Sequence, residues 1–133
     1  MRTPGWLMVG MVALGMLLLG CAGPSRVRLD ESANGTSVSL RAGQTLIIAL
    51  KSNPTTGYDW QVDQVDETVV RVVKQDFQPA SDPERLGAPG QTVVQFQAVS
   101  AGMTDLHLIY VRPWEQDVEP QDTFQVHITV QGD

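Results

Sequence analysis

The chain has 133 residues, a formal net charge of −6 at pH 7 and one cysteine. This length is enough for one domain with a single hydrophobic core. The acidic balance argues against nucleic acid and anionic lipid headgroups as partners, and one cysteine excludes a disulfide within the chain.

The N-terminal segment has the pattern of a secretory signal peptide. Arg2 precedes an apolar run, Trp6 to Gly20, that is shorter than the roughly 20 residues needed to span a bilayer. The run ends in Leu18-Leu19-Gly20-Cys21, which resembles the lipobox of bacterial lipoproteins, where cleavage leaves a diacylated cysteine at the new N-terminus. We predict a signal peptide at residues 1–20 and a lipid-anchored tether at 21–34. The alternative is an uncleaved membrane anchor.

The residue that follows Cys21 bears on where the lipoprotein is delivered. Ala22 stands there rather than Asp, which by analogy with lipoproteins of Gram-negative bacteria favours the outer membrane. The expected location is therefore the cell envelope, with the domain lipid-anchored at the periplasmic face or the cell surface.

The remainder of the chain, residues 35–133, is predicted to be all-β. Apolar residues alternate with polar ones and are rich in β-branched and aromatic types, as in strands with one buried face. Trp60 alternates with Tyr58 and Val62 and is expected in the core. We predict an immunoglobulin-like antiparallel β-sandwich of about seven strands, at residues 36–40, 45–50, 58–65, 69–74, 92–99, 104–111 and 123–130.

The connections between these strands are of two kinds. Three are tight turns, at residues 41–44, 66–68 and 100–102, and three are longer, at 52–57, 75–91 and 113–121. If every strand reverses direction, the tight turns gather at one end of the sandwich and the longer loops at the other. Recognition on rigid β scaffolds is commonly built from loops gathered in this way.

The first long loop reads Asn53-Pro54-Thr55-Thr56-Gly57-Tyr58. Pro54 fixes φ and Gly57 permits a positive φ, which predicts a stiff loop that loses little entropy on binding. Thr55 and Thr56 are expected at its tip with their hydroxyls available. The alternative interpretation is an ordinary hairpin connection.

The other two loops carry different signals. Arg112-Pro113-Trp114-Glu115 opens the third loop with an indole that is hard to bury, and exposed Trp and Arg are enriched in binding hot spots. The alternatives are a Trp114 that folds down to cap the sandwich, and an Arg112 that pairs with Asp59 or Glu115. The middle loop, 75–91, contains Gly87-Ala88-Pro89-Gly90. This segment could lie flat against a partner, or the whole loop could be a flexible surface loop.

These three segments, in this order, resemble the chagasin family of cysteine-peptidase inhibitors. The resemblance covers most of residues 36–131 and extends to Trp60, Phe96, Ala98, Gly102, Leu106, Leu108 and Tyr110. It implies an immunoglobulin-like fold and reversible inhibition of papain-like cysteine peptidases, with three loops that enter the active-site cleft. In the middle loop, Ala88-Pro89 interrupts the glycine run usual in the family.

The resemblance also implies a role for each segment. Thr55 and Thr56 would lie near the catalytic Cys–His pair of the peptidase, Trp114 and Arg112 on the wall of the cleft, and Gly87 to Gln91 along the other flank. The implied peptidase-binding residues are Asn53, Pro54, Thr55, Thr56, Gly57, Tyr58, Gly87, Ala88, Pro89, Gly90, Gln91, Arg112, Pro113, Trp114 and Glu115.

We find no pattern in the sequence that indicates an enzyme. His107 and His127 lie in predicted strands, opposite the apolar face and as possible cross-strand neighbours, but two histidines without a third ligand make a weak zinc site. There is no nucleophile-elbow motif, and the acidic third loop is expected to be solvated rather than to bind a cation.

The combined prediction is a lipid-anchored inhibitor that is not an enzyme, uses no cofactor or metal, binds no nucleic acid and acts as a monomer. Two alternatives stay open. One is a structural or adhesive envelope module with no inhibitory activity, and the other is a hydrolase with an unrecognised site.

Overall fold

A computed structural model describes residues 25–80 and 89–132. The predictions for the signal peptide, for lipidation of Cys21, and for Gly87 and Ala88 lie outside these residues. Within them, eight strands form two four-stranded sheets. The strands are β1 (Arg26–Leu29), β2 (Ser37–Arg41), β3 (Thr45–Ser52), β4 (Asp59–Gln64), β5 (Val70–Gln78), β6 (Gly90–Ala98), β7 (Gly102–Val111) and β8 (Asp122–Gln131).

The first sheet has the strand order β1-β3-β6-β5 and the second β2-β8-β7-β4. β1 runs parallel to β3 and β2 parallel to β8, while the other neighbouring strands are antiparallel. Two short 3₁₀ turns, Glu31–Ala33 and Pro54–Thr56, are the only helical segments in the described part of the chain, and neither could cross a membrane. The prediction of an immunoglobulin-like β-sandwich is confirmed.

The core lies between the sheets, where the alternating apolar residues of each strand meet. Trp60 is buried as predicted, and its indole Nε1 donates to the backbone oxygen of Lys51 at 3.0 Å. Fully buried aromatic and aliphatic side chains from both sheets fill the interior, among them Leu46, Ile48, Val94, Phe96, Leu106, Leu108, Phe124, Val126 and Ile128. Burial on this scale gives a rigid support for the loops.

The predicted tether is wrong over residues 26–34, because the chain already belongs to the sandwich there. β1 pairs with β3 from Arg26 opposite Thr45 to Leu29 opposite Ile48. Val27 and Leu29 pack against the core, and the 3₁₀ turn at Glu31–Ala33 leads into β2. The domain therefore begins earlier than residue 35 and has one strand more than predicted.

The middle loop was predicted too long. β5 continues to Gln78 and β6 begins at Gly90, so the connection spans only residues 79–89. The predicted strand depended on the β-branched residues of 69–74, and the four residues that continue β5, Gln75-Asp76-Phe77-Gln78, contain none. A register shift between Val72 and Lys74 also interrupts the pairing of β5 with β6.

The two ends of the sandwich differ as predicted. We call the end that carries turns 41–44, 66–68 and 100–102 the turn end, where the backbone N–H of Gly43 donates to Ala98 and that of Val99 to Val69. The other end, the loop end, carries the first loop (53–58), the middle loop (79–89) and the third loop (112–121).

Candidate functional site

The first loop is a closed turn stabilised by its own side chains. The Asn53 side-chain oxygen accepts the backbone N–H of Thr55 at 3.2 Å and the Thr55 hydroxyl at 2.6 Å. The Thr56 hydroxyl donates to the backbone oxygen of Asn53 at 2.7 Å. Gly57 ends the turn at φ 85°, a conformation that favours glycine. The loop has the hydrogen bonds expected of a stiff turn, and both hydroxyl protons are donated inside it while the two threonines stay exposed.

Tyr110 links this loop to the sheet. Its hydroxyl accepts the backbone N–H of Asn53 at 3.0 Å. Its ring lies between those of Tyr58 and Trp60, with centroid distances of 5.3 and 5.0 Å. Sequence reasoning assigned Tyr110 to the inner face of its strand and missed this contact. The available signal was that Tyr58, Trp60 and Tyr110 all stand at strand ends beside the long loops.

Arg112 joins the third loop to the first. Its Nε donates to the backbone oxygen of Thr56 at 3.1 Å, and its guanidinium carbon lies 4.5 Å above the centre of the Tyr58 ring. One terminal nitrogen lies 3.9 Å from the Glu115 carboxylate, which confirms the pairing with Glu115 rather than Asp59. The Asp59 carboxylate instead accepts the backbone N–H of Trp60.

Trp114 is 68% exposed, which excludes the alternative in which it folds down as a cap. The far edge of its indole still lies against the first loop. A Cβ placed on Gly57 would come within 2.4 Å of the indole Cη2. Since only a glycine leaves room there, the two loops form one continuous surface with an exposed aromatic ring.

The middle loop approaches the same surface from the other sheet. Gly90 and Gln91, predicted as loop residues, lie instead in β6, where they pair with Ser52 and Lys51 of β3. Pro89 precedes them. A cavity of about 420 Å³ lies between the loops, lined by Lys51, Ser52, Asn53, Pro89, Tyr110, Gln121 and Asp122. Of the predicted middle segment, then, Pro89 lies beside the first loop, while Gly87 and Ala88 lie outside the described residues.

The histidines do not form a metal site. The register places His107 opposite Gln125 and His127 opposite Asp105, so the two histidines are not directly opposed. His127 Nδ1 lies 2.8 Å from an Asp105 carboxylate oxygen on the outer face of the sheet. Across the described residues, no group of three side chains could hold a metal ion.

Comparison with known proteins agrees with this geometry. Residues 39–128 match the model of the chagasin family peptidase inhibitor I42. The chain is similar to amoebiasin-1 of Entamoeba histolytica, with 31% identity over 77% of this chain and 98% of that protein.

Two solved structures have the same fold. One is the cysteine protease inhibitor EhICP2 from Entamoeba histolytica, with a TM-score of 0.73 and 23% identity over 82% of this chain and 100% of that one. The other is PbICP-C in complex with falcipain-2, with a TM-score of 0.57 and 18% identity over 83% of this chain and 95% of that one. The family is one of inhibitors, which agrees with the prediction that the chain is not an enzyme. The family match spans most of the domain, and the chain therefore belongs to the chagasin family of peptidase inhibitors.

Proposed function

We propose that this domain reversibly inhibits papain-like cysteine peptidases by inserting its loop end into the active-site cleft. Membership of the inhibitor family supports the activity. The names of its structural neighbours, a cysteine protease inhibitor and an inhibitor in complex with falcipain-2, support the class of peptidase. The observation that carries the proposal is the direct contact between the first and third loops, through Arg112 and Thr56 and through Trp114 and Gly57.

The closed turn of the first loop would keep the peptidase from cleaving the bound inhibitor. Backbone oxygens of Asn53 and Pro54 accept the N–H groups of Thr56 and Gly57 at 3.1 and 3.0 Å. Such a turn cannot extend along the cleft as a substrate does. It therefore offers no scissile carbonyl in line with the catalytic thiolate, and without that alignment attack is slow.

The third loop would supply most of the affinity. Trp114 presents a large exposed ring held against Gly57, so little side-chain freedom remains to be lost on binding. Arg112 is fixed by Thr56 and Glu115. A preorganised aromatic anchor beside a fixed guanidinium is the composition typical of an interface hot spot.

The test is an inhibition assay with the soluble domain, residues 22–133, against cysteine, serine and metallo-peptidases. We expect stoichiometric, reversible inhibition of papain-like enzymes and none of the other classes. Thr56→Arg should abolish it, because Thr56 is exposed at the tip of the first loop. Thr68→Arg is the matched control, since Thr68 is an exposed threonine that braces a turn at the other end. Full peptidase activity in the presence of the domain at micromolar concentration would contradict the proposal and favour a structural or adhesive envelope module.

We further propose that Cys21 carries the lipid anchor and holds the domain at the cell envelope as a monomer. The lipobox-like Leu18-Leu19-Gly20-Cys21 after an apolar run supports this. Radioactive palmitate should label the wild-type chain in a bacterial host, and the Cys21→Ser variant should remain unlabelled and leave the membrane fraction. Equal labelling of both would contradict the assignment. Fractionation of the two membranes would then test delivery to the outer one.

A further inference from the structure

We infer that the turn end of the sandwich faces the lipid bilayer, so that the loop end points away from it. The inference rests on the proposed lipid anchor at Cys21 and on where the described chain begins. It assigns a membrane-facing surface to turns 41–44, 66–68 and 100–102, which the inhibitory mechanism leaves unused.

The first step is the position of Ser25. Its backbone oxygen accepts the N–H of Thr45 at 2.9 Å, and the next residue, Arg26, pairs with Thr45 in the β1–β3 ladder. Thr45 directly follows turn 41–44, so the chain enters the domain at the turn end. The parallel direction of β1 decides this, since an antiparallel β1 would have begun near the loops.

The second step is the length of chain between the lipid and the domain. Ser25 follows Cys21 by four residues, and at full extension these span at most about 14 Å. β3 runs from Thr45 at the turn end to Ser52 at the loop end, a separation of roughly 23 Å at the usual rise per strand residue. The short connection therefore cannot bring the loop end to the headgroups while the turn end faces outward.

The third step is the distribution of charge. The third loop and the start of β8 carry Glu115, Asp117, Glu119 and Asp122 against one cation, Arg112. Toward the turn end, Arg26, Arg41 and Arg71 accompany Asp66 and Glu67. Anionic headgroups repel the acidic loop end, and the separation of roughly 23 Å, nearly three Debye lengths of about 8 Å at physiological salt, removes most of that repulsion. The same orientation leaves the first and third loops open to a peptidase in solution.

The experiment uses the full lipidated chain in vesicles that contain lipids with nitroxide headgroups, which quench fluorophores at short range. One variant, Glu67→Cys, carries a fluorophore at the turn end and the other, Gln116→Cys, carries it at the loop end. Both positions are exposed, and acylation leaves no free thiol on Cys21. We expect severalfold stronger quenching of the Glu67→Cys label than of the Gln116→Cys label.

Equal quenching of the two labels, or stronger quenching at Gln116→Cys, would overturn the orientation. Flotation of the vesicles with bound protein tests the lipid anchor separately. A chain that does not float with the vesicles has no lipid anchor, and the inferred orientation then fails with it. Peptidase inhibition measured in solution with the unlabelled soluble domain reports the proposed function by itself. The three readouts therefore distinguish failure of the orientation, the anchor and the inhibitory activity.

Discussion

Two turns at opposite ends of the sandwich use the same local device with different chemistry. In each, a side-chain oxygen accepts both the backbone N–H and the hydroxyl of the threonine two residues later. At the loop end the acceptor is the amide of Asn53, with Thr55 as donor. At the turn end it is the carboxylate of Asp66, with Thr68 as donor. The two regions share geometry and differ in charge.

The proposed function gives a physical reason for the difference. The hydroxyl and then the backbone N–H of Thr68 lower the pKa of Asp66, which stays ionised in solvent. The turn at Asp30 and Ser32 is built in the same way, and its hydrogen bonds lower the pKa of Asp30. A carboxylate in the first loop would have to lose its hydration inside a peptidase cleft, which is costly for an unpaired charge. The amide of Asn53 gives the same turn without a group that titrates.

Removing Trp114 should have the largest effect on inhibition and should act at the loop end alone. Trp114→Ala is expected to weaken inhibition by about 2 kcal/mol or more, roughly 30-fold, because it deletes the exposed aromatic anchor. Thermal unfolding should not change, since the ring is 68% exposed. Met103→Ala is the control, because Met103 is 65% exposed in β7 near the turn end. Equal losses for the two variants would remove the distinction between the ends.

Exchanging the acceptors of the two turns, Asn53 and Asp66, tests the effect of their different charge. Asn53→Asp should weaken inhibition at neutral pH by at least about 1 to 3 kcal/mol, because that is the cost of desolvating a neutral polar group and a charged group costs more. The Thr55 hydrogen bonds should hold the new carboxyl's pKa below its ordinary value, so the defect should disappear only as the pH falls through that lowered pKa. The measurement is the ratio of variant to wild-type inhibition constants across pH, which cancels the peptidase's own titration. Asp66→Asn should leave the ratio near one throughout, and a flat ratio for Asn53→Asp would contradict the argument.

A pair of glycines tests the two ends with one kind of substitution. Gly57 has φ 85° and Gly102 has φ 156°, so alanine should cost about 1 kcal/mol or more at either. At Gly57 the new Cβ meets the Trp114 ring, which can move into solvent. The free energy of inhibitor binding should therefore change more than the free energy of unfolding. At Gly102 it comes within 2.9 Å of buried Val69, so the free energy of unfolding should fall while inhibition per folded molecule stays constant. The reverse pattern would contradict the assignment.

The sequence predicted those parts of the fold that depend on neighbouring residues and missed those that depend on distant ones. Period-two alternation and short β-branched or apolar runs identified the seven longer strands, and parity placed the long loops together. The sequence pattern did not reveal β1, because Arg26–Leu29 contains only two apolar residues in a polar stretch. This segment becomes a strand by pairing with the neighbouring edge of β3. The prediction ended β5 at residue 74 because Gln75-Asp76-Phe77-Gln78 contains no β-branched residue.

For the candidate site, too, the sequence predicted local features but not the contacts between distant residues. Pro54, Gly57 and the exposed Trp114 follow from residue types and turn chemistry, and the chagasin-like motifs gave their order. The contacts that fix the two loops to each other did not follow. The Tyr110 hydroxyl reaches a backbone group 57 residues away, and Arg112 reaches one 56 residues away. No local pattern encodes such a partner, because it is set by strand register.

The smallest expected effect concerns acid stability at the turn end. Because folding lowers the pKa of Asp66, its contribution to stability is present above the unfolded-state pKa and is lost as the pH falls through the folded-state value. Thr68→Val removes the hydroxyl donor, so the Asp66 pKa should rise toward its ordinary value in an NMR titration. Inhibition should be unaffected at any pH. An unchanged Asp66 pKa would show that the Thr68 hydroxyl is not its cause.

The parallel pairing of β1 with β3 also has a mechanical consequence. A pull on Ser25 against the loop end would act along the strand axes, so the hydrogen bonds between Arg26–Leu29 and β3 would be loaded together in shear rather than opened one after another. Shear resists force better than unzipping because several bonds must break at once. If the chain is anchored at Cys21 as proposed, this four-residue strand would carry the load between the membrane and a bound peptidase.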